Sequence, residues 1–192
     1  GSAGQDGGSG GGGGGSAQAG GAGTQPSQLG DSGLYGFGKQ GGSGAAYLSS
    51  SGSSFSGGGG GGAGSSGANA NSFSPGKGGD GKQYDISGTL IGGVDPYYSA
   101  GAGGAMRWMG SVSTAADGLG AHNYGSGGTG YGGLDLWAES GFQGVVIVRY
   151  SVEGVAPKAP SANGGSITYT DSSGNGQATP QLGGYTTHTF DV

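Results

Sequence analysis

Cysteine is absent from the 192-residue chain, which removes disulfides, thiolate catalysis and Cys-based metal sites from consideration. Many exported fibres also lack cysteine, so the absence marks no compartment. Charge is scarce as well: 9% of residues are charged and the balance is −5. With no basic stripe to neutralise phosphates, nucleic-acid binding is not expected. No run of about 18 apolar residues occurs and no basic-then-apolar segment opens the chain, so neither membrane insertion nor a signal segment is read from it. The chain starts at Gly1 rather than Met, as expected of a processed protein or a part of a longer one. Hydrophobic residues make up only 31%, with aliphatic runs at 86–94 and 145–148, too few for side-chain burial alone to hold the molecule together.

What is abundant is glycine, 57 residues of it. Glycine loses more backbone entropy on ordering than any other residue, so such a chain either stays disordered or uses glycine itself as a packing surface. The arrangement favours the second. Glycine-rich tracts at 7–15, 20–23, 41–44, 57–67, 76–81, 101–104, 125–133 and 141–144 alternate with connectors at 24–37, 47–55, 69–75, 83–99, 107–124 and 134–140. Most of the two Trp, ten Tyr and five Phe lie outside the tracts, which is not the composition of a disordered linker.

Ordinary helices are not expected, because each interior glycine costs roughly 1 kcal/mol relative to alanine. Collagen needs glycine at every third position with abundant proline, whereas here glycines are contiguous and prolines number six. The ordered form that remains is a bundle of packed polyglycine II helices joined by long loops, with three residues per turn and a rise of about 3.1 Å. Such helices have no internal hydrogen bonds. Their amides and carbonyls point outward and must pair with neighbouring helices, an approach that only glycine permits. This reading makes residues 1–150 a mostly irregular, glycine-rich domain with essentially no α-helix.

The pattern changes near Gly141. Val145-Val146-Ile147-Val148-Arg149-Tyr150 is a β-branched run that reads as a strand closing the glycine-rich domain. Residues 151–165, with Pro157 and Pro160, read as an extended linker. Residues 166–192 hold two alternating strands, Ile167 to Thr170 and Tyr185 to Phe190. Two strands alone are marginal in water, so this tail is expected to pair with another sheet or chain through Tyr185, Thr187 and Phe190.

Glycine tracts divided by aromatic connectors and closed by Gly141-Phe142-Gln143-Gly144 and the Val/Ile run with Arg149-Tyr150 resemble the glycine-rich domains of bacteriophage tail-fibre and tail-tip proteins. The resemblance covers roughly residues 1–150. It implies a polyglycine II sandwich like that of the fibre-tip adhesins of T-even-like phages, with connecting loops at the distal end binding the bacterial surface. Gly184-Tyr185-Thr186-Thr187-His188-Thr189-Phe190 resembles the strand that opens such a domain, yet here it comes last. That order implies a truncated multi-domain fibre, or a final strand that completes a neighbouring subunit.

Enzymatic motifs do not assemble. Gly38-Lys39 approaches a phosphate loop, but Gln40 stands where Ser or Thr should hold magnesium. Gly7-Gly8-Ser9-Gly10-Gly11 has the spacing of a nucleophile elbow without the strand, helix, histidine and acid that a hydrolase requires. Asp80, Asp85, Asp95 and Asp117 do not sustain a calcium repeat, since Gln83 falls where a second ligand belongs. No catalytic residue, metal or cofactor is expected. The aromatic connectors are the candidates for binding: Tyr35 and Phe37, Tyr97 and Tyr98, Arg107 and Trp108, His122 and Tyr124, and Trp137. Loop Tyr and Trp offer broad, rigid contact area suited to a bacterial surface glycan or an outer-membrane protein; the alternative is that they cap the bundle ends. Three functions are carried forward: a virion tail-fibre adhesin, an extracellular filament whose subunits join each other through the C-terminal strand, and an ice-binding protein.

Overall fold

The computed structural model describes residues 1–25, 37–83, 97–108, 111–118, 125–126, 141–152 and 165–191. Among these residues there are only short strands, turns and irregular segments, and no helix is long and apolar enough to cross a membrane. The chain divides into two compact units, the first Gly1–Gln83 with Tyr97–Phe142, the second Tyr84–Pro96 with Gln143–Val192.

In the first unit the glycine tracts form neither helix nor sheet, yet their amides are paired with a period of three. Gly57, Gly60 and Ala63 donate to the carbonyls of Ala105, Ala102 and Ser99 at 2.7, 2.9 and 2.8 Å. Gly58 and Gly61 donate to Gly13 and Gly10 at 2.9 and 2.8 Å, while Gly59 and Gly62 donate to Ala68 and Ser65 at 3.0 and 2.9 Å. Consecutive residues thus address three different neighbours. The carbonyls follow the same rule: Gly57 and Gly60 accept from Gly76 and Gly79, and Gly59 and Gly62 accept from Gly42 and Lys39. Residues 57–63 therefore run through the middle of five other tracts.

This arrangement explains the glycine. A Cβ on Gly59 would overlap the Lys77 carbonyl, one on Gly61 the Lys39 carbonyl, and one on Gly58 the Gly42 carbonyl. Among the described residues of this unit the buried hydrophobic side chains are only Ala63 and Ala100, so the described part of its interior is made of backbone. An unpaired buried amide costs about 1–3 kcal/mol, so a chain of this kind orders only where its buried amides find partners.

Strands appear where the tracts leave the bundle. β1 (Ala45–Ser49) and β2 (Gly52–Ser56) form a hairpin between tracts 41–44 and 57–63; β3 (Lys82–Gln83) pairs with β4 (Tyr97–Tyr98); β5 (Ala105–Trp108) pairs with β6 (Ser111–Thr114). The four-stranded order is β1-β2-β5-β6, all antiparallel. Connectors that read as loops thus carry a sheet. Its register is imposed from below, because tracts 57–63 and 99–105 already lie side by side and the ladder continues along their flanks.

The second unit is a sheet of order β7-β10-β8-β9, with β7 (Val145–Ser151), β8 (Ser166–Thr170), β9 (Gly176–Gln177) and β10 (Tyr185–Asp191). The Val/Ile run expected to close the glycine-rich region falls in this unit. β10 is central, antiparallel to β7 on one edge and to β8 on the other within the same chain. Thr186 lies between Tyr150 and Tyr169, and His188 between Val148 and Ile167. His188 is buried, stacks on Tyr150 and Phe190 at centroid distances of 5.9 and 6.2 Å, and meets the Tyr150 hydroxyl at 3.2 Å through Nε2. On the other face the Arg149 guanidinium lies 4.0 Å from the Tyr185 ring centroid.

Candidate functional site

Both hairpins of the β1-β2-β5-β6 sheet leave the tracts at one end, where Gly57 meets Ala105 and Gly76. The turn at 71–74 belongs to the same end, since it joins the tract that pairs Ala68 with Gly59 to the one that pairs Gly76 with Gly57. Asn71 builds that turn: its side-chain Oδ1 accepts the Phe73 amide at 2.9 Å, and its backbone exchanges hydrogen bonds with Ser74. Phe73 is thereby held over the sheet.

On this face Tyr47 and Trp108 flank Ser54 in register. Their centroids are 6.3 Å apart; Phe73 closes the triangle at 5.1 Å from Tyr47 and 5.4 Å from Trp108, nearly edge-on to the indole. Each such pair contributes about 0.5–1.5 kcal/mol beyond its buried area. Ser54 between Tyr47 and Trp108 is fully buried, and its hydroxyl has no partner. Tyr47 and Phe73 nevertheless remain 40% and 56% exposed, so the trio is an aromatic platform and not a core.

The opposite face carries other chemistry. Phe55 and Arg107 are cross-strand partners there, both exposed. Arg107 and Trp108 are neighbours in β5 and so point to different faces, as the two-residue period of a strand requires.

The candidates from the sequence are accordingly separated. Tyr97 and Tyr98 lie opposite Gln83 and Lys82 at the other end of tract 99–105 from Trp108. Phe37 precedes the tract in which Lys39 pairs with Gly62, and so lies at the Tyr97 end. Tyr35, His122, Tyr124 and Trp137 lie outside the described residues. In the second unit Tyr185 and Thr187 share one face of β10 and Phe190 takes the other. Tyr47, Phe73 and Phe55 were not singled out from the sequence. Each is the lone ring of a small-residue stretch, Ala45-Ala46-Tyr47, Asn71-Ser72-Phe73-Ser74 and Ser53-Ser54-Phe55-Ser56, and only the tract pairing brings them together.

Among the described residues no group of three or more His, Asp or Glu side chains gathers to hold a metal ion. The Asp171 carboxyl is held below its ordinary value mainly by the Asn175 side-chain amide and further by the Asn175, Ser173 and Gln177 donors. It shapes a turn. No protein-family model, curated protein or solved structure matches the chain.

Proposed function

We propose that this protein is a non-enzymatic adhesin of the phage tail-fibre or tail-tip kind, in which a bundle of polyglycine II helices is a stiff pedestal for an aromatic face that docks on a bacterial surface glycan or outer-membrane protein. Support for the pedestal is the three-residue period of the tract hydrogen bonds, which equals the residues per turn of that helix. The observation that carries the function is the Tyr47–Phe73–Trp108 platform, with Tyr47 and Phe73 exposed and Trp108 half-buried between strand and solvent, mounted on strands that continue the tracts. Stacked rings at the end of a rigid body give contact area at low entropic cost. Several copies on one virion would convert modest single-site affinity into firm attachment. The filament alternative, in which Tyr185, Thr187 and Phe190 add to a neighbour, gains no support from a strand already paired on both edges.

Capture of the fluorescently labelled protein by a panel of intact bacteria tests the adhesin reading. Trp108→Ala and Tyr47→Ala are each expected to reduce capture at least about tenfold, with the melting transition retained. Loss in Tyr98→Ala instead would move the site to the other end of the bundle, and capture unchanged in all three variants, or no capture by any strain, would reject the assignment.

A further inference from the structure

Beneath the Phe55 face of the sheet lies a groove of about 640 Å³, within the range of roughly 300–1,000 Å³ typical of small-molecule sites. Its walls are the glycine backbone of three tracts, and its side chains are unusually few: Phe55 and Arg107 at one end, Ser16, and the methyls of Ala102 and Ala105. Arg107 is the only charged side chain lining it, and among the described residues it has no ion pair; the Gly1 amino group, also in the lining, donates to the Ser16 hydroxyl at 3.1 Å. The Asp117 carboxylate, which accepts the Gly103 amide at 2.6 Å, is not part of the lining.

The tract hydrogen bonds add a second feature. Gly10 and Gly13 donate to Lys39 and Gly42, and Gly11 and Gly14 donate to Gln5 and Ser2. The third direction of that period belongs to Gly12 and Gly15, whose amides have no partner among the described residues and which both line the groove. Ala102 likewise lines it with an amide that donates to no described group. The groove thus offers backbone donors without acceptors, one guanidinium and one aromatic ring.

We infer that this groove is a subsite for an acidic sugar of the uronic-acid class, whose ring face packs on Phe55 and whose carboxylate takes the Arg107 guanidinium and the amide of Gly15, the tract residue beside Phe55. A guanidinium fork matches a carboxylate bidentately, and unpaired amides favour an anion over a neutral hydroxyl. The ring supplies the flat surface that sugar C–H groups require. This inference rests on the adhesin reading, because it names the receptor chemistry, but its test uses a soluble sugar so that the two can fail separately.

Titration of the whole protein with methyl glucuronide, methyl glucoside and inorganic sulfate, followed by ligand-observed NMR at low salt, decides it. The glucuronide is expected to bind at least about tenfold more tightly than the glucoside. Arg107→Gln should erase that preference, Arg107→Lys should keep part of it, and Phe55→Ala should weaken both sugars, each with the melting transition retained. Equal affinity for the two sugars, no binding of either, or sulfate binding as tightly as the glucuronide with Phe55→Ala indifferent would overturn the assignment. Cell capture that depends on Trp108 without any glucuronide binding would sink this inference alone. Glucuronide binding by a protein that captures no cells would sink the adhesin reading alone.

Discussion

Within residues 57–63, glycines that look equivalent in the sequence differ sharply in what surrounds their Cα atoms. A Cβ built on Gly60 meets nothing nearer than the Ala102 amide nitrogen at 3.5 Å, an ordinary contact, whereas one on Gly61 would overlap the Lys39 carbonyl. Three residues on from Gly60 the chain already carries a side chain, Ala63. Gly60 does not adopt the left-handed conformation, so alanine there loses less entropy on folding and is expected to stabilise by about 0.4–1 kcal/mol. Gly61→Ala is expected to destabilise by roughly 1–3 kcal/mol, because backbone must shift to admit the methyl. Thermal unfolding of the two variants checks the contrast, and equal effects would mean that the tract has no three-residue period. The buried hydroxyls obey the same local logic. Ser54 and Ser56 have no partner for Oγ, so alanine at either position is expected to be neutral or to stabilise by about 1 kcal/mol.

Turns decide what the strands can present. In the second unit the Asp171 carboxylate accepts the amides of Ser173 and Asn175, each at 2.9 Å, and the side chains of Asn175 and Gln177, joining β8 to β9. These donors favour the ionised form and hold the carboxyl below its ordinary value, so the folded value lies under the unfolded one. Its contribution to stability is therefore present above the ordinary carboxyl value and is lost as pH falls through the lower folded value. Asp171→Asn should lower the melting temperature near neutral pH and make no difference in strongly acidic solution; an equal loss at both would exclude the carboxylate as the cause. The strands this turn joins show how legible the elements were. Ile167 to Thr170 and Tyr185 to Phe190 alternate, and Val145 to Val148 is β-branched, so β8, β10 and β7 could be read directly. β1 and β2 could not, because Ala45-Ala46-Tyr47-Leu48-Ser49 and Gly52-Ser53-Ser54-Phe55-Ser56 have little strand propensity, and their pairing comes from the tracts beneath them. For the site, Trp108 and Arg107 were legible as a ring and a charge in one connector. Their partners Tyr47, Phe73 and Phe55 were not, since these contacts join positions tens of residues apart through backbone bonds that glycine content does not index.

A protein whose described interior is peptide and not hydrocarbon should differ from ordinary proteins in its heat capacity. Unfolding normally raises heat capacity by about 12–15 cal/mol/K per residue, because exposed apolar surface adds about 0.45 cal/K/mol/Å² while exposed polar surface subtracts about 0.26. For 192 residues the usual increment is roughly 2.3–2.9 kcal/mol/K. Here the buried hydrophobic side chains among the described residues are two alanines and a valine, while tracts such as 57–63 bury amides and carbonyls against one another. The two hydration contributions then come close to cancelling. The expected increment is below about half of the usual one. A small increment flattens the dependence of stability on temperature, so the protein should lose little stability on cooling, unlike one held by apolar burial. Calorimetric unfolding at several pH values gives the increment as the slope of enthalpy against melting temperature. A value in the ordinary range would mean that apolar side chains, and not the backbone lattice around residues 57–63, hold the first unit together.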